Sequence, residues 1–526
     1  MIILTAVIAG ATFRDYGLGW DDYTHWQYGQ LLIALLRSGF TDQRALSFVN
    51  LYMYGGGFDM LATLAGKILP FAPFESRRLV GAAIGIVGLF VTWRLGRRIG
   101  GPLVGLLSLV LIAACPLYYG HMFINAKDGP FAAVTMIALL GIVRALQEYP
   151  RATPPTLALC GVGIGLAVGT RVLGGFVVLA ALLSLAYVVA AKWHNDGFKS
   201  ALAECGTFLV PFIPAAILGY LVMGLVWPWS VVSPLNPFHA IDYFSSFFDK
   251  PWRELFDGRL ILVPDMPRSY APTLEALTNP ELMLVLGLCG AAGVIVAAVR
   301  GRESIGRRGA LLAVLFVAAL PILVTVATRP YMYNGVRHLV FTLAPFAVLG
   351  GVAADWIWQR LRRLGAAATI GGALIFAAGI ASPVVEMVRL HPYQYTYFNH
   401  IIGGVAGARP YFMVDYWGLS MTQASRQLRA KLENSGEKPP DGKAWTVAVC
   451  GPHPAVVVGL GDGFSAIWDP KGADFAMMLE EFYCADLDAP VVLEIKRDGI
   501  VYARVYDIRG RSVSTLLRYP TANGSN

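Results

Sequence analysis

Two adjacent carboxylates, Asp21 and Asp22, follow the first apolar stretch of the chain, which covers residues 2–13. Acidic side chains are costly to bury in a bilayer and easy to solvate where a helix leaves it. A carboxylate at such a boundary can take a proton from an acceptor hydroxyl, as a general base does. The pair therefore marks a candidate catalytic site at the membrane surface.

Three further loops are predicted to bring cations and polar groups to the same membrane face. These groups are His121, Asn125, Lys127 and Asp128 in HMFINAKDGP, then Arg171, then Arg337 and His338 in YMYNGVRH. Cations stabilise a phosphate leaving group while its charge develops. We expect Lys127, Arg171 and Arg337 at headgroup depth, where a lipid-linked donor would present a phosphate. Asp128, just before Gly129-Pro130, is also a candidate helix cap.

The elements that position these groups are predicted to be membrane helices. Of the 526 residues, 56% are hydrophobic and 14% charged, whereas soluble proteins carry about 25% charged residues. Stretches apolar enough to span about 30 Å of hydrocarbon lie at 2–13, 79–95, 102–119, 130–147, 156–170, 172–191, 205–229, 281–299, 309–327, 338–357 and 366–383. The pair 156–170 and 172–191 allows either a tight hairpin or one long helix.

Every second loop between these stretches is rich in arginine or lysine, which predicts an inner N-terminus and an outer C-terminal region. The net charge of +8 follows from this placement, so no nucleic-acid partner is expected. The stretch 2–13 lacks a basic n-region and a cleavage site, which favours an anchor over a signal peptide.

The predicted organisation is a membrane domain, 1–383, with long outer loops at 14–78 and 230–280, and an outer α/β domain, 384–526. Segments 23–36 and 58–69 are predicted to be interfacial helices. In the tail we expect strands at 445–450, 491–496 and 500–506 and a helix at 474–483. Cys450 and Cys484 either form a disulfide in an oxidising compartment or stay free.

Several enzyme motifs are absent from the sequence. There is no P-loop, no HExxH or paired Cys/His spacing, and no Gly-x-Ser-x-Gly elbow. ATP-driven chemistry, a zinc centre and a serine hydrolase are therefore not predicted.

The order of the motifs resembles the GT-C glycosyltransferases, in the branch of protein O-mannosyltransferases and the lipid A aminoarabinose transferase, over roughly residues 1–400. Asp21-Asp22 stands where many members have Asp-Glu. The other matching motifs are Asn125-Ala126-Lys127-Asp128 for the second-loop motif, Thr170-Arg171 for Thr-Lys, and Arg337-His338 for Arg-Tyr.

This resemblance implies a sugar donor on a polyprenyl phosphate and an inverting single displacement onto an acceptor hydroxyl of a lipid, glycan or protein. It implies a first-loop aspartate as base, with Asp21 slightly preferred, because Asp22 can instead orient Lys127 or cap the following helix. Arg171, Arg337 and His338 join Lys127 as donor-phosphate ligands.

The expected location is the bacterial inner membrane, with membrane lipids as neighbours and the site on the periplasmic side. No cofactor is required, and a divalent metal near the carboxylates is left open. Further candidates for substrate binding are Tyr54, His121, Arg268 and Tyr270.

Two other functions are compatible with a polytopic chain. A transporter or flippase of lipid-linked sugars predicts ionisable residues deep inside spans. A non-catalytic membrane scaffold does not need acids and cations gathered from separate loops.

Overall fold

Apolar helices dominate the chain up to Arg389. The computed structural model describes residues 1–245, 247 and 252–517. The helices of this part are α1 (Ile2–Thr12), α2 (Asp22–Arg37), α3 (Gly57–Ala65), α4 (Pro73–Gly100), α5 (Pro102–Ala113), α6 (Pro116–Ile124), α7 (Asp128–Gln147), α8 (Pro154–Thr170), α9 (Gly175–Asp196), α10 (Phe198–Leu209), α11 (Phe212–Val226), α12 (Asn236–Ser245), α13 (Tyr270–Thr278), α14 (Glu281–Arg300), α15 (Ile305–Thr328), α16 (Leu343–Leu364) and α17 (Ala366–Arg389).

All eleven predicted stretches lie in helices, but not all are long enough to span. Within the described ranges, seven helices can cross a membrane by length and composition, or nine if the bent pairs α5–α6 and α10–α11 each count as one span. Helix α1 has 11 residues and α8 has 17, and a helix rises only about 1.5 Å per residue. The fold class, a multi-pass helical membrane protein, is confirmed, and seven to nine helices of the described residues are candidate spans by length and composition.

Helix α8 packs closely on α11 through glycines spaced four residues apart. A side chain at Gly161 would meet the carbonyl oxygen of Ala215 at 2.4 Å, and one at Gly165 would meet that of Gly219 at 2.4 Å. Small residues at this spacing let helix backbones approach in a membrane, where dispersion drives packing. The chain breaks at Arg171 between α8 and α9, so 156–191 is two helices.

The outer loops carry short elements. Helices α2 and α3 occupy the two segments predicted to be interfacial helices. The loop 230–280 also forms an antiparallel hairpin of β1 (Arg253–Phe256) and β2 (Arg259–Leu262), which was not predicted. Lys250, a charged residue of this loop, lies outside the described residues.

The tail contains a mixed sheet with helices packed on it. Its elements are α18 (Gly404–Ala408), α19 (Ser420–Ser435), β3 (Trp445–Cys450), α20 (His453–Leu460), β4 (Phe464–Ile467), β5 (Phe475–Leu479), β6 (Val491–Arg497), β7 (Ile500–Asp507) and α21 (Val513–Leu516). The strand order is β4-β3-β5-β7-β6. Strand β3 is parallel to β4 and β5, while β7 is antiparallel to β5 and β6. The predicted α/β character of the tail is confirmed.

The predicted helix at 474–483 is wrong, because its centre is strand β5. Phe475, Met478, Leu479 and Phe482 have helical spacing, which explains the prediction. In the fold β5 lies at the centre of the sheet and is buried along almost its whole length. A central strand that is covered on both faces has a continuous run of apolar residues. Periodicity alone does not distinguish such a run from the sequence of a buried helix.

Part of the tail packs in one hydrophobic cluster with the membrane helices. Phe13 after α1 and Phe123 in α6 belong to the same buried cluster as Trp417, Val447 and Val505. The structure joins Cys450 and Cys484 by a disulfide, with Cα atoms 5.8 Å apart. The domain boundary at 383/384 stays a prediction.

Candidate active site

Asp22 is a buried carboxylate held by an arginine. It is the first residue of α2 and is only 3% exposed. Arg78, in the first turns of α4, donates from Nη1 to Oδ1 at 2.7 Å and from Nη2 to Oδ2 at 2.6 Å. The backbone N–H of Gly19 adds a third bond at 2.8 Å. A bidentate pair of this kind fixes geometry, so Asp22 ties the first outer loop to α4 and does not contact Lys127.

Asp21 precedes Asp22 by one residue and has a different environment. Its side chain is 40% exposed, and Oδ2 lies 3.5 Å from Lys127 Nζ and 3.8 Å from Arg337 Nη1. Burial alone would raise the pKa of Asp21, but Lys127 and then Arg337 lower it to about 2. Asp21 is therefore ionised at neutral pH, and part of its carboxylate stays accessible.

The two cations facing Asp21 are held by aromatic rings. Lys127 Nζ lies 4.7 Å from the centre of the Tyr54 ring, and the Arg337 guanidinium lies 4.8 Å from Tyr333 and 5.0 Å from Trp417. Their side chains are 11% and 7% exposed. Across the described part of the chain, Asp21 is the sole acid within ion-pair distance of either. Two positive charges thus face one negative charge, which favours binding of an anion.

The second-loop motif is built around Asn125. Its Oδ1 accepts the backbone N–H groups of Lys127 at 3.0 Å and Asp128 at 2.8 Å, and its Nδ2 donates to Asp128 Oδ2 at 2.8 Å. This turn starts α7 and fixes the position of Lys127. Asp128 in turn forms a buried ion pair with Arg171. The positive charge of Arg171 is therefore balanced by Asp128. The Arg171 guanidinium also lies 5.5 Å from the centre of the Tyr54 ring, which Lys127 contacts as well.

Three more residues were predicted to belong to the site: His121, His338 and Arg268. The structure places the two histidines near the group formed by Asp21, Lys127 and Arg337, but not Arg268. His121 Nε2 lies 3.1 Å from the Tyr416 hydroxyl, and His121 Nδ1 lies 3.2 Å from Asn125 Nδ2. The His338 ring contacts Tyr333 edge-on. Exposed Arg268 instead donates to the carbonyls of Val326 and Ala327 at the end of α15, and the structure does not bring it to Asp21.

Tyr270 contacts a glutamate that the sequence reasoning missed. Its hydroxyl donates to Glu254 Oε1 at 2.5 Å, and the backbone N–H groups of Asn334 and Gly335 donate to the same carboxyl at 2.6 and 3.3 Å. Burial raises the pKa of Glu254 to about 7. Glu254 thus fixes the loop that leads into Arg337. The sequence could have indicated this role, because Glu254 and Phe256 are two residues apart in a strand and therefore lie on the same face of β1, which is the buried one.

The tail supplies part of the wall around Asp21. Trp417 lies in the turn Asp415–Gly418, and the backbone N–H of Trp20 donates to its carbonyl at 3.3 Å. Gly19 packs so closely on the Trp417 ring that a side chain there would overlap it. Asp415 accepts the N–H groups of Leu419 and Ser420, at the start of α19. The turn therefore fixes Trp417 beside Arg337.

The carboxylates of the site do not fit a divalent metal. Arg78 and Arg171 engage Asp22 and Asp128, and Asp21 faces two cations. In the part of the chain that the structure describes, no group of three or more His, Cys, Asp or Glu residues is placed to hold a metal ion.

The fold and site define the class: a multi-pass helical membrane protein with a polar cleft at the ends of its helices. The fold is similar to that of the apo oligosaccharyltransferase from Archaeoglobus fulgidus, with a TM-score of 0.50 and 14% identity over 89% of this chain. This chain spans 64% of the length of that enzyme.

Two other solved structures are similar. ArnT from Cupriavidus metallidurans bound to undecaprenyl phosphate gives a TM-score of 0.49 at 13% identity, over 96% of this chain and 97% of that chain. The Archaeoglobus fulgidus oligosaccharyltransferase in complex with Zn and sulfate gives 0.45 at 14% identity, over 89% and 62%. No curated protein matches the sequence.

The comparison of the sequence with protein families gives a more specific result than the comparison of folds. Residues 58–227 match the family described as dolichyl-phosphate-mannose-protein mannosyltransferase, so over this segment the chain carries the pattern of that family. The predicted resemblance is confirmed. The matched segment includes Lys127, Asp128 and Arg171, and it ends before Arg337.

Proposed function

We propose that this protein transfers a sugar from a polyprenyl-phosphate donor to an acceptor hydroxyl, by inverting single displacement, at the outer face of the membrane. The observation that carries the proposal is the arrangement around Asp21. An ionised, partly exposed carboxylate faces two buried cations that come from two other loops and have no second acid partner among the described residues. A base beside an anion site is what this transfer needs.

The donor phosphate binds between Lys127 and Arg337. Asp21 takes the proton of the acceptor hydroxyl, whose oxygen attacks the anomeric carbon from the face opposite the phosphate. The bond between that carbon and the phosphate oxygen breaks through an oxocarbenium-like transition state. Lys127 and Arg337 offset the charge that develops on the phosphate. No step passes through a metal.

Donor binding also prepares the base. Lys127 and Arg337 lower the pKa of Asp21 to about 2, and a base works best when its pKa lies near the operating pH. A bound phosphate compensates both cations, so the pKa of Asp21 rises toward its ordinary value. Asp21 therefore becomes a stronger base when donor is present.

The predicted roles of the other residues follow from their contacts. Arg171 adds positive potential near Tyr54 while it is paired with Asp128, and His338 lies beside Tyr333. The Tyr54 ring, which both Lys127 and Arg171 contact, offers a surface to the donor.

The flippase alternative is not favoured by where the buried charges lie. Arg77 and Arg78 are in the first turns of α4, Asp128 begins α7, and Arg337 begins the span that contains α16. Charges at helix ends suit chemistry at the membrane surface, whereas transport across the midplane needs polar groups within spans. The basic loops support a bacterial inner-membrane location with this site on the outer side.

The test is a transfer assay with purified protein in lipid nanodiscs, radiolabelled polyprenyl-phosphate sugars and a bacterial membrane extract as acceptor. We expect label to move to an acceptor with wild type and with Asp42→Asn, a control in the same outer loop. Asp21→Asn is expected to lose about 10²–10⁴-fold in transfer rate. Wild-type transfer by Asp21→Asn would refute the mechanism. Movement of labelled lipid across liposomes without any transfer would replace it by the flippase function.

A further inference from the structure

We propose that a second cavity, between the first outer loop and the tail, binds an anionic group of the acceptor, a phosphate or a carboxylate. The cavity has a volume of about 260 Å³. A water molecule takes up about 30 Å³ of liquid, so the cavity has room for such a group together with water. The inference rests on the proposed function and adds a chemical property of its acceptor.

The cavity lies where the ends of two membrane-domain helices meet the tail. Asp15 follows α1, and His391 comes two residues after the end of α17, a candidate span. The tail contributes the end of β6 and one face of α19 with its N-cap, through Arg497 and through Leu419, Thr422, Gln423 and Arg426. Residues spaced three and four apart share a helix face. A cavity beside the end of a span is expected near headgroup depth.

Two arginines of the cavity have no carboxylate partner. Arg426 is exposed, and among the described residues it forms neither a hydrogen bond nor an ion pair. Arg497 donates from Nε to the carbonyl of His391 at 2.7 Å and from Nη2 to Gln423 Oε1 at 3.2 Å. It also donates to the carbonyl of the preceding residue. These partners are neutral, so within the described part of the chain both positive charges stay uncompensated.

The single acid that lines the cavity is already engaged. Asp15 Oδ2 lies 2.9 Å from His391 Nε2. The Tyr16 hydroxyl donates to Gln394 Oε1 at 3.0 Å, and Gln394 Nε2 lies 3.0 Å from His391 Nδ1. His391 Nδ1 therefore accepts from the amide, and Nε2 carries the hydrogen that is donated to Asp15. Two arginines face one occupied carboxylate, and an oxyanion would add charge-assisted hydrogen bonds to them.

The cavity lies close to the cleft that contains Asp21. The two are separated by the contact of residues 17–20 with residues 417–422, in which the Leu18 N–H donates to Thr422 Oγ1 at 2.9 Å. Gly17 lines the cavity, and Asp21 is four residues further along the chain. Four residues span at most about 14 Å. An acceptor longer than this can place a hydroxyl at Asp21 and an anionic group at the two arginines.

The first test measures how fast Arg426 reacts with phenylglyoxal, which modifies accessible guanidinium groups, by peptide mass spectrometry of the full chain. The protein is held in phosphatidylcholine nanodiscs with inorganic phosphate added, or in nanodiscs that also contain phosphatidic acid. We expect phosphate to slow modification of Arg426 at least about threefold as the site fills. Arg429, less than one turn further along α19 and paired with Glu433, is the internal control and should react at an unchanged rate.

The two probes separate the sources of the anion. Protection by phosphatidic acid alone would indicate an acceptor held in the bilayer, and protection by inorganic phosphate alone a soluble one. Both results support the site. Equal modification of Arg426 with and without either probe would overturn it, whatever the transfer assay shows.

The second test compares Arg426→Gln with wild type in the transfer assay. Since Arg426 is exposed and has no partner in the described structure, the variant should fold like wild type, which its melting temperature checks. We expect the apparent KM for the acceptor extract to rise about two- to fivefold, as the loss of one exposed ion pair gives. The kcat and the donor KM should not change. Arg429→Gln is the matched control and should leave all three values unchanged.

These outcomes separate the inference from the proposed function. An unchanged acceptor KM in folded Arg426→Gln would show that an anion bound in this cavity does not belong to the acceptor, while the proposed function stands. If wild type transfers no sugar, the proposed function and the acceptor role fail together. The modification rates then still decide whether the cavity binds an anion.

Discussion

Asp21 and Asp22 are consecutive in the chain, yet Asp22 accepts three hydrogen bonds at 2.6 to 2.8 Å, while the cations nearest Asp21 lie at 3.5 and 3.8 Å. The same contrast separates the open cleft around Asp21 from the ion pairs behind it, Asp22–Arg78, Asp128–Arg171 and Asp59–Arg77. Each acid of these three ion pairs is bound to its own buried arginine. Asp21 instead lies near two cations, and part of its carboxylate stays exposed. The buried ion pairs hold the site together, whereas Asp21 and its two cations keep charge that is not fully paired within the protein.

Asp21→Asn tests the open side of this comparison and should have the largest effect. Removing a general base typically costs about 10²–10⁴-fold in rate, and we expect kcat to fall in that range. Because Asp21 is 40% exposed and its ion pairs to Lys127 and Arg337 are long, at 3.5 and 3.8 Å, the melting temperature should fall less than for the loss of a tightly bonded buried pair. The measurement is sugar transfer per folded protein, with Asp42→Asn as control. Full activity would place the base elsewhere.

Asp22→Asn tests the paired side. It leaves Arg78 buried without its carboxylate, and breaking a buried ion pair costs about 3–5 kcal/mol of folding free energy. We expect a lower melting temperature and poor expression, with near-normal activity per folded molecule. The double variant Asp22→Asn/Arg78→Met should recover part of the stability. Normal stability with no transfer would instead make Asp22 the base.

Arg337→Met tests whether the cations of the cleft bind the donor. Hydrogen bonds to charged groups are worth about 1.5–3 kcal/mol, so the donor KM should rise about 10- to 100-fold. Arg259→Met, an exposed arginine in β2, is the control and should leave KM unchanged. An unchanged donor KM for Arg337→Met would move the phosphate site away from Arg337.

Lys127→Met tests whether Lys127 lowers the pKa of Asp21, which is measured through the pH dependence of transfer. Lys127 is the strongest of the influences that lower the pKa of Asp21, so its removal raises that pKa above about 2. The acid limb of the kcat/KM profile should therefore move to higher pH, because Asp21 stays protonated up to a higher pH. The profile is measured from pH 3 to 8 beside Lys67→Met. An unmoved limb would show that Asp21 does not feel Lys127.

Glu481→Gln should have the smallest effect. Burial raises the pKa of Glu481 to about 8, so its contribution to stability is complete at acid pH and is lost as the pH rises through 8. The glutamine side chain of the variant cannot ionise. Its amide oxygen can still accept hydrogen bonds from the backbone N–H groups of Val414 and Asp415. It should melt about 2–4 °C higher than wild type at pH 9, as about 1 kcal/mol gives in domains of 150–250 residues. Exposed Glu433→Gln should leave the pH dependence unchanged.

Much of the site was predictable because charges avoid the bilayer interior and collect at helix ends. Lys127, Asp128, Arg171 and Arg337 all stand next to apolar runs, so the sequence predicts that they meet at one face. The sequence does not say which acid pairs with which arginine, because that choice depends on helix rotation and packing. The prediction therefore left Asp21 and Asp22 nearly equal, and it missed the role of Arg78.

The errors in the tail and in the outer loop have a related cause. Strand β5 and Glu254 both depend on neighbours distant in sequence: β5 lies between β3 and β7, and Glu254 accepts from a loop about 80 residues later. Local periodicity carries no information about such partners.

The contact between the first outer loop and the tail also constrains how the protein is made. The backbone N–H of Leu18 donates to Thr422 Oγ1 at 2.9 Å across 404 residues, and Trp417 completes the wall around Asp21. At about 5–20 residues per second of synthesis, the loop bearing Asp21 is translated roughly 20–80 s before the residues that enclose it. The nascent chain can therefore insert its first helices before Trp417 and Thr422 exist, and the wall around Asp21 closes only after both have been translated.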